Sequence, residues 1–264
     1  MNDVKIIFID IDGTLRDSND RISDDTIKSI NKLQKEGIQI VLATGRSLKY
    51  TINLVKLYNS GNYIITSNGA EVYNYKSNNM IYSSPLDKDS IAFIDDIIKK
   101  NNLLFIANTS DYRYTNKNED AVGMKKCSSL LDISDSINQV VVQSTSSETM
   151  ATVKLGIESN TKIRIANKND NTTNKYLFYD ITNSDVSKGN SIVKLCEYLN
   201  ISLDKTMAIG NSNNDLDMFK VCKYKVAVAN ADLELKKESN IETLSNDSEG
   251  VKVILDRLYN EITK

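Results

Sequence analysis

The sequence predicts an α/β protein with a Rossmann-like three-layer core, a parallel sheet and a second, inserted α/β domain. Short apolar runs alternate with amphipathic helical segments near both ends of the chain, which is typical of a parallel sheet covered by helices. The middle of the chain has a different succession of strands and helices. At 264 residues the chain is long enough for two modest domains.

The first third of the chain contains three predicted strands and two predicted helices. Residues 4–9 are almost continuously apolar, which suits a strand buried on both faces. A helix is predicted over residues 23–36, because Ser23 can cap it, apolar residues recur at helical spacing and Gly37 follows it. The remaining predicted elements are strands over residues 38–43 and 63–66 and a helix over residues 47–58.

The middle of the chain begins with a predicted hairpin, whose strands cover residues 70–75 and 80–84. Pro85, the single proline, follows at once. The predicted helices of this region span residues 87–101 and 147–158, and its predicted strands span 103–107, 112–115, 140–143, 162–166 and 176–181. Residues 167–174 are polar and predict a turn or loop.

Strand–helix alternation returns after residue 183. The predicted helices span residues 188–199, 215–221, 231–238 and 249–262, and the predicted strands span 206–209 and 224–228. We therefore predict a core domain made of residues 1–83 and 184–264, into which residues 84–183 are inserted as a second domain. The hinges between the two domains are expected near Ser84-Pro85 and Asn183-Ser184.

Composition excludes several classes of function. The formal net charge of −2 gives no general attraction to nucleic acid or to an anionic membrane. The absence of histidine excludes Ser-His-Asp and Cys-His catalysis and His-ligated zinc. The N-terminal residues contain an acid where a signal peptide needs a basic region, and the apolar runs are too short to span a membrane. Three cysteines without a C-x-x-C pair favour a reducing compartment. We expect a cytoplasmic protein without a nucleic-acid or membrane partner.

Asp10 and Asp12 form an acid pair directly after the first predicted strand, in the segment D-I-D-G-T. Open α/β sheets bind ligands at the carboxyl ends of their strands. Two carboxylates this close repel each other unless a cation or a proton intervenes, and a hard divalent ion such as magnesium suits oxygen ligands. One carboxylate could then attack phosphorus while the other exchanges a proton with the leaving oxygen. The alternative is a strand exit with solvated acids.

Two further segments could bind an anion. Thr44-Gly45-Arg46 follows the second predicted strand, where a hydroxyl and the N–H groups of a helix start can hold a phosphate. The alternative is an ordinary strand–helix turn. Lys188 begins a predicted helix, the end at which the helix dipole disfavours a cation. Its position suggests a neighbouring anion, either Asp10 or a substrate phosphate, and the alternative is a surface lysine.

The last candidate segment is Gly210-Asn211-Ser212-Asn213-Asn214-Asp215, which lies between a predicted strand and a predicted helix. Its side chains are rich in oxygen and could complete a metal site. The alternative is a turn whose Asn and Asp residues cap the next helix.

The order of these four segments resembles the haloacid dehalogenase (HAD) superfamily, whose motifs correspond to D-x-D-G-T, T-G-R, K-G and G-x-x-x-N-D. Residues 67–70, 228–231 and 249–251 are also similar to family features. About 30 residues separate Asp12 from Thr44, which leaves no room for a cap domain there, whereas well over a hundred separate the second motif from the third. This spacing resembles the Cof-type (HAD-IIB) phosphatases, whose α/β cap is inserted at that point.

The resemblance implies a role for each candidate residue. Asp10 would be the nucleophile and Asp12 the general acid/base. The implied phosphate-binding residues are Thr44, Gly45, Lys188 and Asn214, and the implied magnesium site comprises Asp10, Asp12, Asn211 and Asp215. The family usually has aspartate at position 211, so Asn211 removes one negative charge and should weaken magnesium binding.

We therefore expect a magnesium-dependent phosphatase that hydrolyses a small phosphorylated metabolite through an aspartyl-phosphate intermediate. The cap should close over the site and select the leaving group, with Tyr112 and Arg113 among the candidate residues. A phosphomutase on the same scaffold is one alternative. A non-catalytic regulator that binds a phosphometabolite is another, motivated by Asn211.

Overall fold

The structure is a computed structural model that describes residues 1–58, 61–117, 123–169 and 176–264. Its strands are β1 (Ile6–Ile9), β2 (Gln39–Ala43), β3 (Tyr63–Thr66), β4 (Glu71–Asn74), β5 (Asn79–Ser83), β6 (Leu104–Asn108), β7 (Arg113–Thr115), β8 (Lys125–Lys126), β9 (Gln139–Ser144), β10 (Ile163–Asn169), β11 (Leu177–Asn183), β12 (Thr206–Gly210), β13 (Tyr224–Ala227) and β14 (Ile241–Glu242). Its α-helices are α1 (Asp24–Lys35), α2 (Leu48–Tyr58), α3 (Lys88–Lys100), α4 (Ser147–Glu158), α5 (Lys188–Leu199), α6 (Leu216–Val221), α7 (Leu233–Glu238) and α8 (Gly250–Ile262).

The core is built on an eight-stranded sheet with the order β14-β13-β12-β1-β2-β3-β4-β5. Strand β1 pairs in parallel with both β2 and β12, whereas β4 and β5 are antiparallel to their neighbours. From β1 the chain moves to one side through β2 and β3, and after β12 it moves to the other side through β13. Because such crossovers are right-handed, the helices of the two halves cover opposite faces of the sheet, which gives three layers.

Burial explains why these segments fold as they do. All four residues of β1 are fully buried, as expected of a central strand covered on both faces. Helix α1 is capped by Ser23, whose side chain accepts a hydrogen bond from the backbone N–H of Thr26. Its acids lie in the first turn and its lysines in the last, which complements the helix dipole. Helices α1 and α8 pack against each other, as do α5 and α6.

A second sheet has the order β10-β11-β9-β6-β7-β8. Its strands come from the part of the chain that separates the two core segments in the sequence. Most of its neighbouring strands are antiparallel, and it has its own apolar cluster, which includes Phe105, Val142 and Ile157. These two sheets and two apolar clusters support our proposal that the chain divides into a core and a cap near residues 84 and 183.

The main deviation from the sequence prediction concerns the end of β10. The sequence predicts a loop from residue 167, and this prediction is wrong for residues 167–169. Strand β10 continues to Asn169, and Asn169 is paired with Phe178 of β11. A register shift between Ile165 and Asn167 lets the polar end of the strand remain paired. The rest of that predicted loop lies outside the described residues.

Two expectations from composition can be compared with the structure. Cys127, Cys196 and Cys222 are all free, and the sequence analysis favoured a reducing compartment. Within the described ranges, the helices are too short or too polar to cross a bilayer.

Candidate active site

The candidate site lies where β1, β2 and β12 end at the same edge of the core sheet. Asp10 follows β1, and the segment Ile11–Leu15 then turns sharply away from the sheet. Gly13 has a φ of 77°, a conformation that favours glycine, and a side chain there would collide with the amide of Asn211. The sequence therefore brings the turn after β1 into contact with the loop after β12, as expected from the parallel pairing.

Lys188 lies between two carboxylates. Its Nζ is 2.7 Å from Oδ1 of Asp10 and 2.7 Å from Oδ1 of Asp215. All three side chains are buried, with residue exposures of 1% for Lys188, 5% for Asp10 and 0% for Asp215. The lysine at the start of α5 therefore has the anionic neighbour that its position in the sequence suggested.

The protonation of this triad follows from burial and charge. Burial, and then repulsion from Asp215, raise the pKa of Asp10 to about 7, although Lys188 opposes this shift. Burial lowers the pKa of Lys188, but the adjacent Asp10 and Asp215 outweigh burial and raise that pKa above its usual value. Two buried carboxylates that share one lysine carry a net negative charge, so a further cation beside Asp10 would favour its ionised form.

Asp215 also shapes the loop that precedes it. Its Oδ2 accepts hydrogen bonds from the backbone N–H groups of Asn211, at 2.9 Å, and Ser212, at 3.1 Å. The side chain of Asn211 accepts a hydrogen bond from the Thr14 hydroxyl at 3.1 Å. Asp215 thus links the loop to Lys188, and Asn211 links it to the turn after Asp10.

Asp12 lies on the exposed side of the same turn and forms an ion pair with Arg46. The Arg46 guanidinium donates from Nε to Oδ2 at 2.6 Å and from its NH2 group to Oδ1 at 2.5 Å. The carbon of this guanidinium also lies 4.3 Å from the ring centroid of Tyr50. The side chain of Asp12 is therefore directed to Arg46, and any contact of Asp12 with a metal would have to use its backbone carbonyl.

The predicted phosphate-binding residues have different surroundings. Thr44 is buried, and its hydroxyl oxygen accepts a hydrogen bond from the backbone N–H of Arg46 at 3.1 Å. Asn214 donates from Nδ2 to Oδ1 of Asn68 at 3.1 Å and accepts from the Ser212 hydroxyl at 2.6 Å. The buried hydroxyl of Ser47 has no partner among the described residues, which makes it a further possible donor to an anion.

A cavity of about 490 Å³ opens between these residues and the cap sheet. It is lined by core residues that include Asp10, Asp12, Thr44, Gly45, Arg46, Ser47 and Asn214, and by cap residues that include Asn108, Arg113, Gln139, Gln143, Phe178 and Asp180. Lys188, Asn211 and Asp215 do not line it. Lys188 contacts both Asp215 and the lining residue Asp10, and Asp215 accepts a hydrogen bond from the backbone N–H of Asn211. Arg113, one of the expected cap residues, faces the cavity, and Tyr112 does not line it.

Two buried carboxylates connect the cap to the core. Asn68 of the core donates from Nδ2 to Oδ2 of Asp180 in the cap at 3.0 Å, and Ser110 of the cap donates to Oε1 of Glu71 in the core at 2.6 Å. Burial raises the pKa of Asp180 to about 6, opposed by hydrogen bonds that include the one from Asn68. The sequence analysis included Asn68 in a segment similar to family features but missed Asp180, Ser110 and Glu71, because a contact between positions 68 and 180 has no local signal.

The oxygen donors around Asp10 fit a hard divalent cation. Asp10, Asp215 and the amide of Asn211 offer oxygen ligands and no sulfur or nitrogen. In the parts of the chain that are described, no group of three or more His, Cys, Asp or Glu residues is arranged to hold a metal. The fit to magnesium therefore rests on two carboxylates and one amide oxygen, which carry less charge than three acids would.

Comparisons with known proteins agree with this geometry. The family described as haloacid dehalogenase-like hydrolase matches residues 7–255. The 5-amino-6-(5-phospho-D-ribitylamino)uracil phosphatase YcsE of Bacillus subtilis is 27% identical over 251 residues, covering 94% of this chain and 93% of that protein. A phosphoglycolate phosphatase of Archaeoglobus fulgidus is 29% identical over 248 residues, covering 94% of this chain and 93% of its own length.

A solved structure has the same architecture over almost the whole chain. The HAD subclass IIB sugar phosphatase BT4131 superposes with a TM-score of 0.82 at 22% sequence identity, covering 96% of this chain and 98% of that one. With a family match over most of its length and two phosphatases among its relatives, the chain belongs to the haloacid dehalogenase-like hydrolases and is a phosphoric monoester hydrolase.

Proposed function

We propose that this protein is a magnesium-dependent phosphatase that hydrolyses a small phosphorylated metabolite through an aspartyl-phosphate on Asp10. The observation that carries the proposal is the position of Asp10, which lines the cavity while its Oδ1 is held 2.7 Å from the buried Lys188. A carboxylate fixed in this way is oriented for attack on a phosphorus atom in the cavity.

Asp12 is the proposed general acid/base. It lines the same cavity and lies two residues after the proposed nucleophile. It would give a proton to the leaving oxygen and later take one from the water that hydrolyses the intermediate. Arg46 holds both oxygens of Asp12 in the described structure, so it would position this carboxylate before a substrate enters.

The proposed phosphate-binding residues are Thr44, Gly45, Lys188 and Asn214. Thr44, Gly45 and Asn214 line the cavity, and Lys188 reaches the site through its contact with Asp10. Phosphoryl transfer needs little covalent chemistry from the protein beyond the nucleophile, so positioning and neutralisation of charge would supply most of the rate.

Magnesium, held by Asp10, the backbone carbonyl of Asp12, Asn211 and Asp215, would neutralise charge on the phosphate and on Asp10. The buried triad supports this proposal, because two carboxylates share the single charge of Lys188. Burial and then repulsion from Asp215 raise the pKa of Asp10, and a cation beside it would oppose both effects. We propose that this cation keeps Asp10 ionised at neutral pH.

The substrate is proposed to be a sugar phosphate or a related compound. A relative named as a 5-amino-6-(5-phospho-D-ribitylamino)uracil phosphatase acts on such a ribityl phosphate, and a structural neighbour is named as a sugar phosphatase. A cavity of about 490 Å³ is large enough for a ligand of this size. The free cysteines also support a location in a reducing compartment such as the cytoplasm.

The test is phosphate release from p-nitrophenyl phosphate during a magnesium titration. We expect turnover that requires magnesium and saturates with it. Asp12→Asn is the test variant and Asp25→Asn is its matched control. Asp25 is an exposed acid on α1 that accepts a hydrogen bond from Lys28. Loss of turnover only in Asp12→Asn supports the proposal, and equal activity in both variants contradicts the assignment of Asp12.

The non-catalytic regulator remains a second candidate, because Asn211 lowers the charge of the metal site. Asn211→Asp should lower the magnesium concentration for half-maximal activity by about tenfold, since a carboxylate replaces an amide of the same shape. The Thr14 hydroxyl can donate to either side chain, so the loop should keep its geometry. Asn213→Asp, an exposed change in the same loop, is the control. An unchanged magnesium dependence in Asn211→Asp would show that position 211 does not tune the metal site.

Arg46→Lys tests the positioning of Asp12. Lysine cannot form the forked pair of hydrogen bonds, so kcat/KM should fall by about tenfold. Stability should change little, because both side chains are partly exposed to solvent. Arg257→Lys, which alters an exposed ion pair with Glu261 on α8, is the control for urea denaturation and for activity. If Arg46→Lys retains full kcat/KM, the forked contact has no part in catalysis.

A further inference from the structure

The cap wall of the cavity contains hydrogen-bond acceptors that lack donors. Gln139 and Gln143, both on β9, have buried Oε1 atoms without a partner among the described residues. Gln139 is only 1% exposed, and both residues line the cavity. A buried acceptor without a donor costs free energy, so such atoms usually mark the place of a ligand or an ordered water.

The register of the cap sheet places these glutamines beside Asp180. Gln139, Val141 and Gln143 point to the same face of β9, because alternate residues of a strand share a face. On the neighbouring strand β11, Asp180 is paired with Val141 and Phe178 with Gln143. All five residues line the cavity, so the two orphan amide oxygens lie on either side of Asp180 along one wall.

Asp180 adds a negative charge that the described residues do not neutralise. It forms no ion pair with a described residue, and its hydrogen bonds come from the neutral amides of Asn68, Asn167 and Gln139. Arg113, a cation on the same wall, instead donates to Asn108 at 3.2 Å. The two glutamine oxygens beside Asp180 therefore remain without donors among the described residues.

We propose that Gln139, Gln143 and Asp180 select the leaving group by accepting hydrogen bonds from its O–H or N–H groups. This inference rests on the proposed phosphatase function and specifies its substrate. The substrate would be a phosphate monoester whose alcohol part carries hydroxyl or amino groups away from the phosphate. A site with unpaired acceptors rejects an analogue that lacks the matching donors, because the acceptors stay buried and unpaired in that complex.

The test compares kcat/KM for three compounds. In p-nitrophenyl phosphate the leaving group has no donor beyond the reacting oxygen, D-sorbitol 6-phosphate carries hydroxyl groups, and D-glucosamine 6-phosphate carries an ammonium group. The variants are Gln143→Met, which keeps the shape and removes the acceptor, and Asp180→Asn, which keeps the shape and removes the charge. Asp25→Asn, an exposed change on α1 at a residue that does not line the cavity, is the control.

We expect Gln143→Met to lower the ratio of kcat/KM for D-sorbitol 6-phosphate to that for p-nitrophenyl phosphate by about tenfold. Asp180→Asn should lower the corresponding ratio for D-glucosamine 6-phosphate by at least about tenfold. The inference is overturned if both variants change kcat/KM for all three compounds by the same factor.

Failure of the proposed function would look different. The wild-type protein would then release no phosphate from any of the three compounds at any magnesium concentration. In that case the affinities of the wild type and the variants for the three compounds would be measured by calorimetry in place of kcat/KM. If the variants bind the two donor-bearing compounds more weakly than the wild type does, the proposed role of Gln139, Gln143 and Asp180 is supported. If the variants and the wild type bind them equally well, that role is overturned.

Discussion

Asp10→Asn should abolish magnesium-dependent phosphate release while making the metal-free protein more stable above pH 7. Removing the nucleophile should lower kcat by about 10⁴-fold or more, because the remaining residues cannot form the covalent intermediate. The gain in stability follows from the buried triad. Asparagine leaves Lys188 paired with Asp215 as a neutral pair, whereas ionised Asp10 adds an excess negative charge.

The pH dependence of this gain has a definite sign. The pKa of Asp10 is raised to about 7 in the folded protein, so the folded state retains a proton that the unfolded state releases between about pH 4 and pH 7. The stability of the wild type relative to Asp10→Asn should therefore fall as pH rises through that window. Above pH 7 this loss should be on the order of 4 kcal/mol, because each unit by which a pKa is raised corresponds to about 1.4 kcal/mol.

Urea denaturation without metal at pH 5 and pH 8 measures this difference, with Asp25→Asn as a control for the loss of an exposed acid. Retained turnover in Asp10→Asn would remove the basis for the nucleophile assignment. A variant that is less stable than the wild type at pH 8 would contradict the charge balance described for the triad.

Lys188→Met should destabilise the protein by about 3–5 kcal/mol, because it leaves two buried carboxylates without their cation. It should also remove phosphatase activity, since Asp10 would take up a proton at neutral pH. Lys28→Met, which removes an exposed lysine paired with Asp25, is the control and should change stability by less than about 1 kcal/mol.

A double variant separates the charge effect from a packing effect. Lys188→Met combined with Asp215→Asn leaves one buried carboxylate in place of two. It should recover part of the lost free energy of unfolding, because the unpaired charge has been reduced. The single variant Asp215→Asn is measured as well. If the loss of unfolding free energy in the double variant equals the sum of the losses in the two single variants, the loss comes from packing and not from charge.

The sequence predicted much of the core site because of a property of parallel sheets. Asp10, Thr44 and the 211–215 loop each follow a strand, and β2, β1 and β12 are neighbours whose carboxyl ends meet at one edge. Lys188 could be assigned an anionic neighbour because it lies at the start of a helix. The proximity of these residues could be predicted from their position relative to strands and helices, without knowing their distances.

The contacts that involve the cap could not be predicted in this way. The hydrogen bonds from Asn68 to Asp180 and from Ser110 to Glu71 depend on how the cap sheet docks on the core. The unpaired acceptors of Gln139 and Gln143 indicate a ligand contact only because both residues line the cavity. The periodicity of the sequence does not show which residues line a cavity. The ion pair between Asp12 and Arg46 joins two motifs that were predicted separately, and a side-chain contact of this kind requires coordinates.

The stereochemistry at phosphorus tests the central claim most directly. A phosphate monoester made chiral with sulfur and ¹⁸O would be hydrolysed in water enriched in ¹⁷O, and the configuration of the released thiophosphate would be determined. Two successive in-line displacements, first by Asp10 and then by water, give net retention of configuration, which is the result we predict. Net inversion would mean that water attacks phosphorus in a single step, and it would contradict an aspartyl-phosphate on Asp10.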